Sequence, residues 1–401
     1  KTAYEIGVRL VGSEMCIRDR NMNEFVIKNA HIVCPEESFM GHVYIANGII
    51  KDLSKGNYTG NSAFDLNKDF LIPGLIELHT DNIERHLTPR PKVEWPIINA
   101  LLAHDRELSS VGITTVFDAL RVGSIPKGNL QGEYKKYAKA TADQISTLKK
   151  NKLFKIDHYI HLRAETASET LANELDEFDE SSNVKMISIM DHTPGQRQFR
   201  NTDKYKEYLA GKYQLSDEEM ENHFSKLKAL QSKNSEIHIK KISEAQMRFQ
   251  CVLASHDDTT IEDVLSSKNL GVSIAEFPTT IEAAKESQKE DMKIIMGSPN
   301  LMRGGSHSGN ISAQELIDEN CLDIFSSDYI PSSLLSSAVK WGLESGNMPK
   351  AIASISRNPA IATQLLDRGS IQCGMKADLV SFSIYNNLPI VKKVWVSGQA
   401  I

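Results

Sequence analysis

Two patterns of apolar and polar residues divide the chain. From Phe25 to Asp69 short β-type runs follow one another: FVIKNAHIVC, then HVYIANGIIKDLS with the turn pair Asn47-Gly48, then FLIPG. Alternation of this kind between turn residues predicts strands and hairpins. The C-terminus repeats the style in SIQCGMKADLVSFSI and IVKKVWVSGQAI. Residues 22–70 and 369–401 are therefore expected to pair into one small β-sandwich module. Between them, residues 71–368 carry eight apolar runs separated by longer helix-like stretches: 71–81, 112–120, 157–165, 184–192, 249–258, 271–278, 292–300 and 321–329. Strands that alternate with helices predict an α/β fold with a parallel sheet. Eight of them close a (β/α)8 TIM-like barrel, whose active site lies at the C-terminal strand ends. The longest connection, 193–248, is rich in Lys, Glu and Gln at helical spacing and predicts a helical insertion over that end, with its charges on a solvated face.

Nearly every run ends in a polar residue: His79 and Asp81, Asp118, Glu165, His192, His256, Glu276, Asn300 and Asp328. Each has an ordinary explanation when taken singly. His192 could cap a helix, Glu165 could pair with Arg163, and Asp328 could cap the helix starting near Ser332. Together, at one end of one barrel, they match a metal centre, because imidazole nitrogens and carboxylate oxygens suit zinc, manganese or iron. His79 and Asp81 stand two residues apart and so share a strand face. The expected ligands are His79, Asp81, Glu165, His192 and His256, with Glu165 as the bridge and Asp328 as the general base toward a water. In HLRAE, His161, Arg163 and Glu165 also share a face, which is costly to bury without an ion or ligand.

Charge sharpens the substrate class. The chain carries a formal charge of −6, so an anionic ligand needs a local basic pocket, and neither nucleic acid nor an anionic membrane is attracted globally. Two segments offer such a pocket: RGGSHSGN, 303–310, and the cluster Arg85, His86, Arg90 and Lys92. Paired glycines let backbone N–H groups turn toward an anion, and arginine presents a planar fork to phosphate oxygens. The expected substrate contacts are Arg85, His86, Arg90, Arg163, Arg303, Gly304, Gly305, His307 and Asn310.

The five cysteines lack any C-x-x-C pair, which argues against a disulfide framework and a cysteine zinc site and predicts a cytoplasmic home. Residues 1–21 have no signal-peptide core. Their GSEMCIRDR tail resembles translated sequencing adapter, so they are expected to be a non-native extension before Met22.

The paired terminal modules, PGLIELHTD, the tips His192, His256 and Asp328, and the closing GSIQCGMKADLV together resemble the amidohydrolase superfamily over roughly 22–401. More narrowly, ELHTDNIERHLTPRP, HLRAE, MDHTPGQRQ, ASHDD and GSPNLMRGGSHSGN are similar to its branch serving phosphonate breakdown by carbon-phosphorus lyase. The resemblance implies a metal-dependent hydrolase of a phosphoric anhydride. Its substrate would be α-D-ribose 1-methylphosphonate 5-triphosphate, and its products the 5-phosphate and diphosphate. It implies one or two divalent ions, Zn, Mn or Mg. The pattern departs from the superfamily's His-x-His at His79-x-Asp81, which favours a harder ion. Lys185 begins rather than ends its strand and is no candidate for a carbamylated bridge. The alternatives are an amidohydrolase acting on a cyclic amide or amino-purine, against which the 303–310 loop argues, and a non-catalytic binding paralogue. The expected partner is a small-molecule polyphosphate, with no nucleic acid and no membrane; a homo-oligomer is allowed but not specified.

Overall fold

The computed structural model describes residues 24–60, 63–125, 136–197, 216–306 and 309–401. The 1–21 extension and His307 therefore lie outside the described residues.

Eight strands from the two ends form one sheet: β1 (Glu24–Val33), β2 (Ser38–Ala46), β3 (Ile49–Lys55), β4 (Ala63–Asp65), β5 (Phe70–Pro73), β14 (Leu379–Tyr385), β15 (Leu388–Val396) and β16 (Gln399–Ala400). Its hairpins turn where two successive residues take positive φ, at Asn47-Gly48, Asn386-Asn387 and Ser397-Gly398. Two-residue turns of this hand match the twist of paired strands. The chain ends meet where β14 runs antiparallel to β5, Leu379 opposite Pro73. The sheet curls around its own core of Ile27, Ile32, Val43, Ile45, Ile50, Leu71, Leu379 and Trp395.

The run expected as a single strand from Leu71 is divided. β5 belongs to the terminal sheet, and β6 (Leu75–Thr80) begins the barrel. Gly74 makes the crossing: its N–H donates to Asp378 O at 2.7 Å, and a Cβ there would meet Thr114 Oγ1 at 2.2 Å. Residues 71–73 thus pair with the module rather than the barrel.

The barrel strands follow in sequence order, every neighbouring pair parallel: β6, β7 (Ile113–Val122), β8 (Asp157–Glu165), β9 (Val184–Met190), β10 (Val252–His256), β11 (Ile274–Glu276), β12 (Lys293–Gly297) and β13 (Ile324–Ser326). Seven lie within the apolar runs, and β7 overruns the end of its own, 112–120, by two residues. The ring closes between β13 and β6 through a Thr80–Asp328 bridge, with Thr80 Oγ1 donating to Asp328 O at 2.7 Å.

One face of each strand packs outward on helices, as with Val116, Leu120, Ile160, Leu162 and Ile187. A separate inner cluster holds Ile76, Leu78, Phe117, Met186, Ala254, Ile274, Ile295 and Ile324. Asp118 falls in the outward row. It is buried against His104 and His158, at 2.9 and 2.7 Å, and does not join the barrel mouth.

The expected insertion contains one helix, Asp217–Phe249, of 33 residues, begun by a Ser216–Glu219 capping box. At 1.5 Å per residue it is about 50 Å long. Gln231, Asn234 and His238 fasten it to Asp191, Ser168 and Thr166 beyond the ends of β9 and β8, each at 2.8 Å. Among the described residues, no helix is long and apolar enough to cross a membrane.

Candidate metal centre

His79, His256 and Glu276 reach the barrel interior from β6, β10 and β11. A register shift between Glu77 and Thr80 interrupts the alternation of β6, so His79 as well as Leu78 faces inward. His79 Nδ1 lies 3.0 Å from Glu276 Oε1, and His256 Nδ1 lies 3.2 Å from Glu276 Oε2. All three residues are buried, with ligand-type atoms within 4.8 Å of one another. A second group, His192, His256 and Asp257, meets the same spacing and shares His256 with the first. His161 supports the first group from below: its Nδ1 lies 2.9 Å from Leu78 O and its Nε2 2.5 Å from Ser188 Oγ, itself 2.6 Å from Glu276 Oε2.

Burial sets the protonation states. It pushes the imidazoles of His161 and His256 down to about 3 and lowers that of His79 well below its ordinary value. Neutral imidazoles keep a lone pair for an ion. Burial also disfavours the charged form of His192, but the Glu165 carboxylate, 2.5 Å from its Nδ1, wins and raises it. Burial lifts the carboxyls of Glu77 and Asp257 to about 7 and, with the Asp81 charge, that of Asp328 to about 8.

Asp257, Phe277 and Asp328, just beyond β10, β11 and β13, all take positive φ, at 58°, 54° and 54°. This conformation is tolerated by Asp but is an outlier for Phe. Such strain concentrates where a site has to be held in place.

The donor set fits a divalent cation. Glu77, Asp81, Glu165, Asp257, Glu276 and Asp328 crowd one mouth against the positive charges of Arg163 and His192. That excess of carboxylates among neutral imidazoles is what a bound cation would offset.

Of the expected ligands, the structure brings His79, His192 and His256 into these groups. Glu165 stands beside His192. Asp81, past the end of β6, instead engages Arg163 Nη1 at 3.4 Å. Asp328 faces the cluster, its nearest charges being Asp81, Arg163, Glu77 and Asp257. Lys185 sits at the start of β9, away from the mouth.

The expected anion contacts fare less evenly. Arg163 is half-buried at the mouth, and its buried Nε lacks a hydrogen-bond partner. Arg85 and His86 turn instead to Glu107 on the outer helix Ile97–Ser110, with His86 Nε2 at 2.8 Å. Arg90 is exposed in a bridged turn with Val93. Arg303 is exposed at the end of helix Ser298–Arg303. The N–H groups of Gly304 and Gly305 donate back to Leu301 O and Asn300 O. They close that helix rather than facing an anion. Asn310 lies half-buried in the loop.

Sequence reasoning assigned no role to Asp257, although ASHDD displayed it, nor to Glu276, recognised only as a strand tip. It also passed over Arg197 in MDHTPGQRQ, whose Nη1 holds His256 O at 2.6 Å and Asp258 Oδ1 at 2.7 Å.

Residues 102–401 match the model of the amidohydrolase family. The chain is 39% identical over 379 residues to α-D-ribose 1-methylphosphonate 5-triphosphate diphosphatase of Escherichia coli (strain K12), covering 94% of this chain and all of that protein. Among solved structures, N-isopropylammelide isopropylaminohydrolase from Burkholderia multivorans superposes with a TM-score of 0.62 at 11% identity, over 94% of this chain and 98% of that one. N-acetyl-D-glucosamine-6-phosphate deacetylase from Mycobacterium smegmatis gives 0.60 at 14%, over 94% and 99%. Those two likenesses bear on the fold alone. With the family model covering most of its length and a full-length relative at this identity, the chain belongs to the amidohydrolase family.

Proposed function

We propose that this protein hydrolyses α-D-ribose 1-methylphosphonate 5-triphosphate to the 5-phosphate and diphosphate. The observation that carries the reading is the 39% identity to the Escherichia coli diphosphatase across that protein's whole length. The mouth chemistry agrees with it: a cluster able to hold a cation, a half-buried arginine with an unused donor, and an acid at a strand tip.

In this reading His79, His256 and Glu276 would hold a divalent ion, and His192 and Asp257, with Glu165 beside His192, are the residues that would hold a second. A bound ion would supply Lewis acidity toward the phosphoryl oxygens and would acidify a water. Asp328 is placed to orient a water and take its proton as the water attacks the α-phosphorus in line with the departing diphosphate. Its backbone, bridged to Thr80 and held at positive φ, fixes the carboxylate over the cluster. Arg163 directs its donors at the phosphate oxygens, where a planar guanidinium stabilises charge that grows during transfer. The ring nitrogens of His161 are both engaged, so that residue braces Glu276 through Ser188 and offers no atom to the substrate.

Phosphorus NMR of the metal-loaded protein with the ribose phosphonate triphosphate tests the proposal. Diphosphate and the 5-phosphate should appear together. Turnover of a dihydropyrimidine or an amino-purine, without release of diphosphate, would replace it.

A further inference from the structure

Every other seam of the barrel is a ladder of registered backbone pairs. The closing seam, between β6 and β13, is built differently. Among the described residues it has one backbone bridge, Thr80–Asp328, at the mouth. Lower down, Ser354 and Ile355 take backbone donors from both strands: Phe325 N–H donates to Ser354 O at 3.1 Å, and Ile76 N–H to Ile355 O at 2.9 Å. Between these two levels the seam is made of side chains.

Glu77 is the centre of it and is fully buried. His79 N–H donates to its Oε1 at 2.7 Å and Ser327 N–H to its Oε2 at 2.5 Å, so one carboxylate takes a backbone donor from each strand. The Ser326 hydroxyl lies 2.7 Å from the same Oε1 and 2.5 Å from His79 O, and it accepts from Asp328 N–H at 3.3 Å. His161 completes the set, with Nδ1 2.9 Å from Leu78 O. Buried backbone donors have to be paired, and in a regular barrel the neighbouring strand would pair these. Here the level of β13 against β6 follows from the length and placement of one side chain. Two groups of the candidate site depend on that level. His79 stands two residues past Glu77, and Asp328 follows Ser327 directly, at a positive φ of 54°.

We infer that Glu77 is a positioning residue for the reaction, a clasp that joins the tips of β6 and β13 and so sets Asp328 relative to His79. The inference rests on the proposed function for the role of Asp328 as proton acceptor. Both oxygens of Glu77 are engaged by the two strands, so the residue acts through Asp328 and not on the substrate. A proton acceptor has to lie within hydrogen-bond reach of its proton, and a displacement of about 1 Å can cost on the order of a hundredfold in rate.

The variant Glu77→Gln keeps the size of the side chain but turns one acceptor oxygen into a donor, which meets a backbone N–H whichever way the amide is turned. With the metal-loaded protein, kcat is expected to fall about tenfold or more. KM should stay within about twofold, because no substrate contact is lost, and bound metal by elemental analysis should stay near that of the wild type. Wild-type kcat overturns the clasp; so does a loss of metal that accounts for the lost turnover, which would make Glu77 a support of His79 alone. Hydrogen exchange read by mass spectrometry gives a measure independent of turnover. Amides in 75–80 and 324–328 should exchange faster in Glu77→Gln while those of β8 and β9 keep their wild-type rates. Faster exchange in all four strands would mean general destabilisation and also overturns the clasp. If the seam amides are released in the variant while the wild type yields no diphosphate from the ribose phosphonate triphosphate, the proposed function fails and the clasp stands. Ser326→Ala removes the hydroxyl and leaves the carboxylate, and should show a smaller fall in kcat with KM again unchanged; it carries the test if Glu77→Gln does not fold.

Discussion

Replacing Glu276 by Gln keeps the shape of the side chain and removes the charge on which His79, His256 and Ser188 converge. Glu276→Gln is expected to lower bound metal measured by elemental analysis, and to cut turnover by about a hundredfold, in line with losing a candidate ligand together with its hold on the two histidines. Asp328→Asn should behave differently. Outside both ligand groups, it is expected to abolish turnover while metal content stays near that of the wild type, because the lost function is proton acceptance. Metal loss in Asp328→Asn would move that residue from base to ligand. His79, His192 and His256 could be singled out as candidates from the sequence because each stands at or just past the end of an apolar run. Glu276 was harder to read, since one acid in GVSIAEFP has the look of any polar strand end. Its partners stand 197 and 20 residues away, and that convergence exists only after the barrel closes. The anion contacts misled for a related reason: a glycine pair beside an arginine describes an anion loop and a helix C-cap equally well, and here the cap prevails.

Elements were read more securely than contacts, because periodicity and turn chemistry are local. Each of the eight runs marks a barrel strand, although β7 continues two residues past the end of its run, and Asn47-Gly48 turns where expected. The exception is the crossing at Gly74, where Pro73 and Gly74 lie inside one apolar run and only tertiary pairing separates β5 from β6. Gly74→Ala would drive a methyl into Thr114 and is expected to destabilise the protein by about 1–3 kcal/mol, the range for overpacking, measurable by urea unfolding. Outside the barrel, β7, β8 and helix Ile97–Ser110 bury His158 between Asp118 at 2.7 Å and Asp105 at 3.3 Å, with His104 on the far side of Asp118 and the Phe154 ring stacked on it. Burial opposes its charge, yet the two carboxylates prevail and lift His158 to about 9. A raised folded pKa contributes stability that is complete below the unfolded value near 6.5 and lost as pH rises through 9. Wild-type stability should therefore decline between pH 7 and pH 9, by on the order of 2 kcal/mol, and His158→Gln should flatten that slope. An unchanged slope in the variant would exclude His158 as its source.

At the scale of the whole molecule, the candidate metal centre and the terminal sheet sit at opposite ends of one barrel. The mouth gathers the candidate ligands, while the other end is tied to the terminal sheet. Arg368, buried, bonds Thr115 and Asp157; Lys376 Nζ reaches Asp157 Oδ2 at 2.7 Å and Asp378 Oδ2 at 3.2 Å; and Gly74 donates to Asp378 O. Asp157 belongs to β8, whose other end carries Arg163 and Glu165. A strand anchored at both ends couples them, since it cannot loosen at the mouth without disturbing the sheet beneath. Ligand binding to the folded state alone stabilises it by roughly 4 kcal/mol at a thousand times Kd. Removing metal with a chelator is therefore expected to lower Tm by several degrees. Calorimetry should still record one transition, because the shared ion pairs make barrel and terminal sheet unfold together. Two transitions, with only the lower one sensitive to chelator, would mean that the sheet is an independent unit and that the Arg368–Asp157–Lys376 contacts do not transmit the loss. Arg368→Ala offers the converse test: cutting the tie at the base should separate the transitions while the metal-dependent shift of the barrel persists.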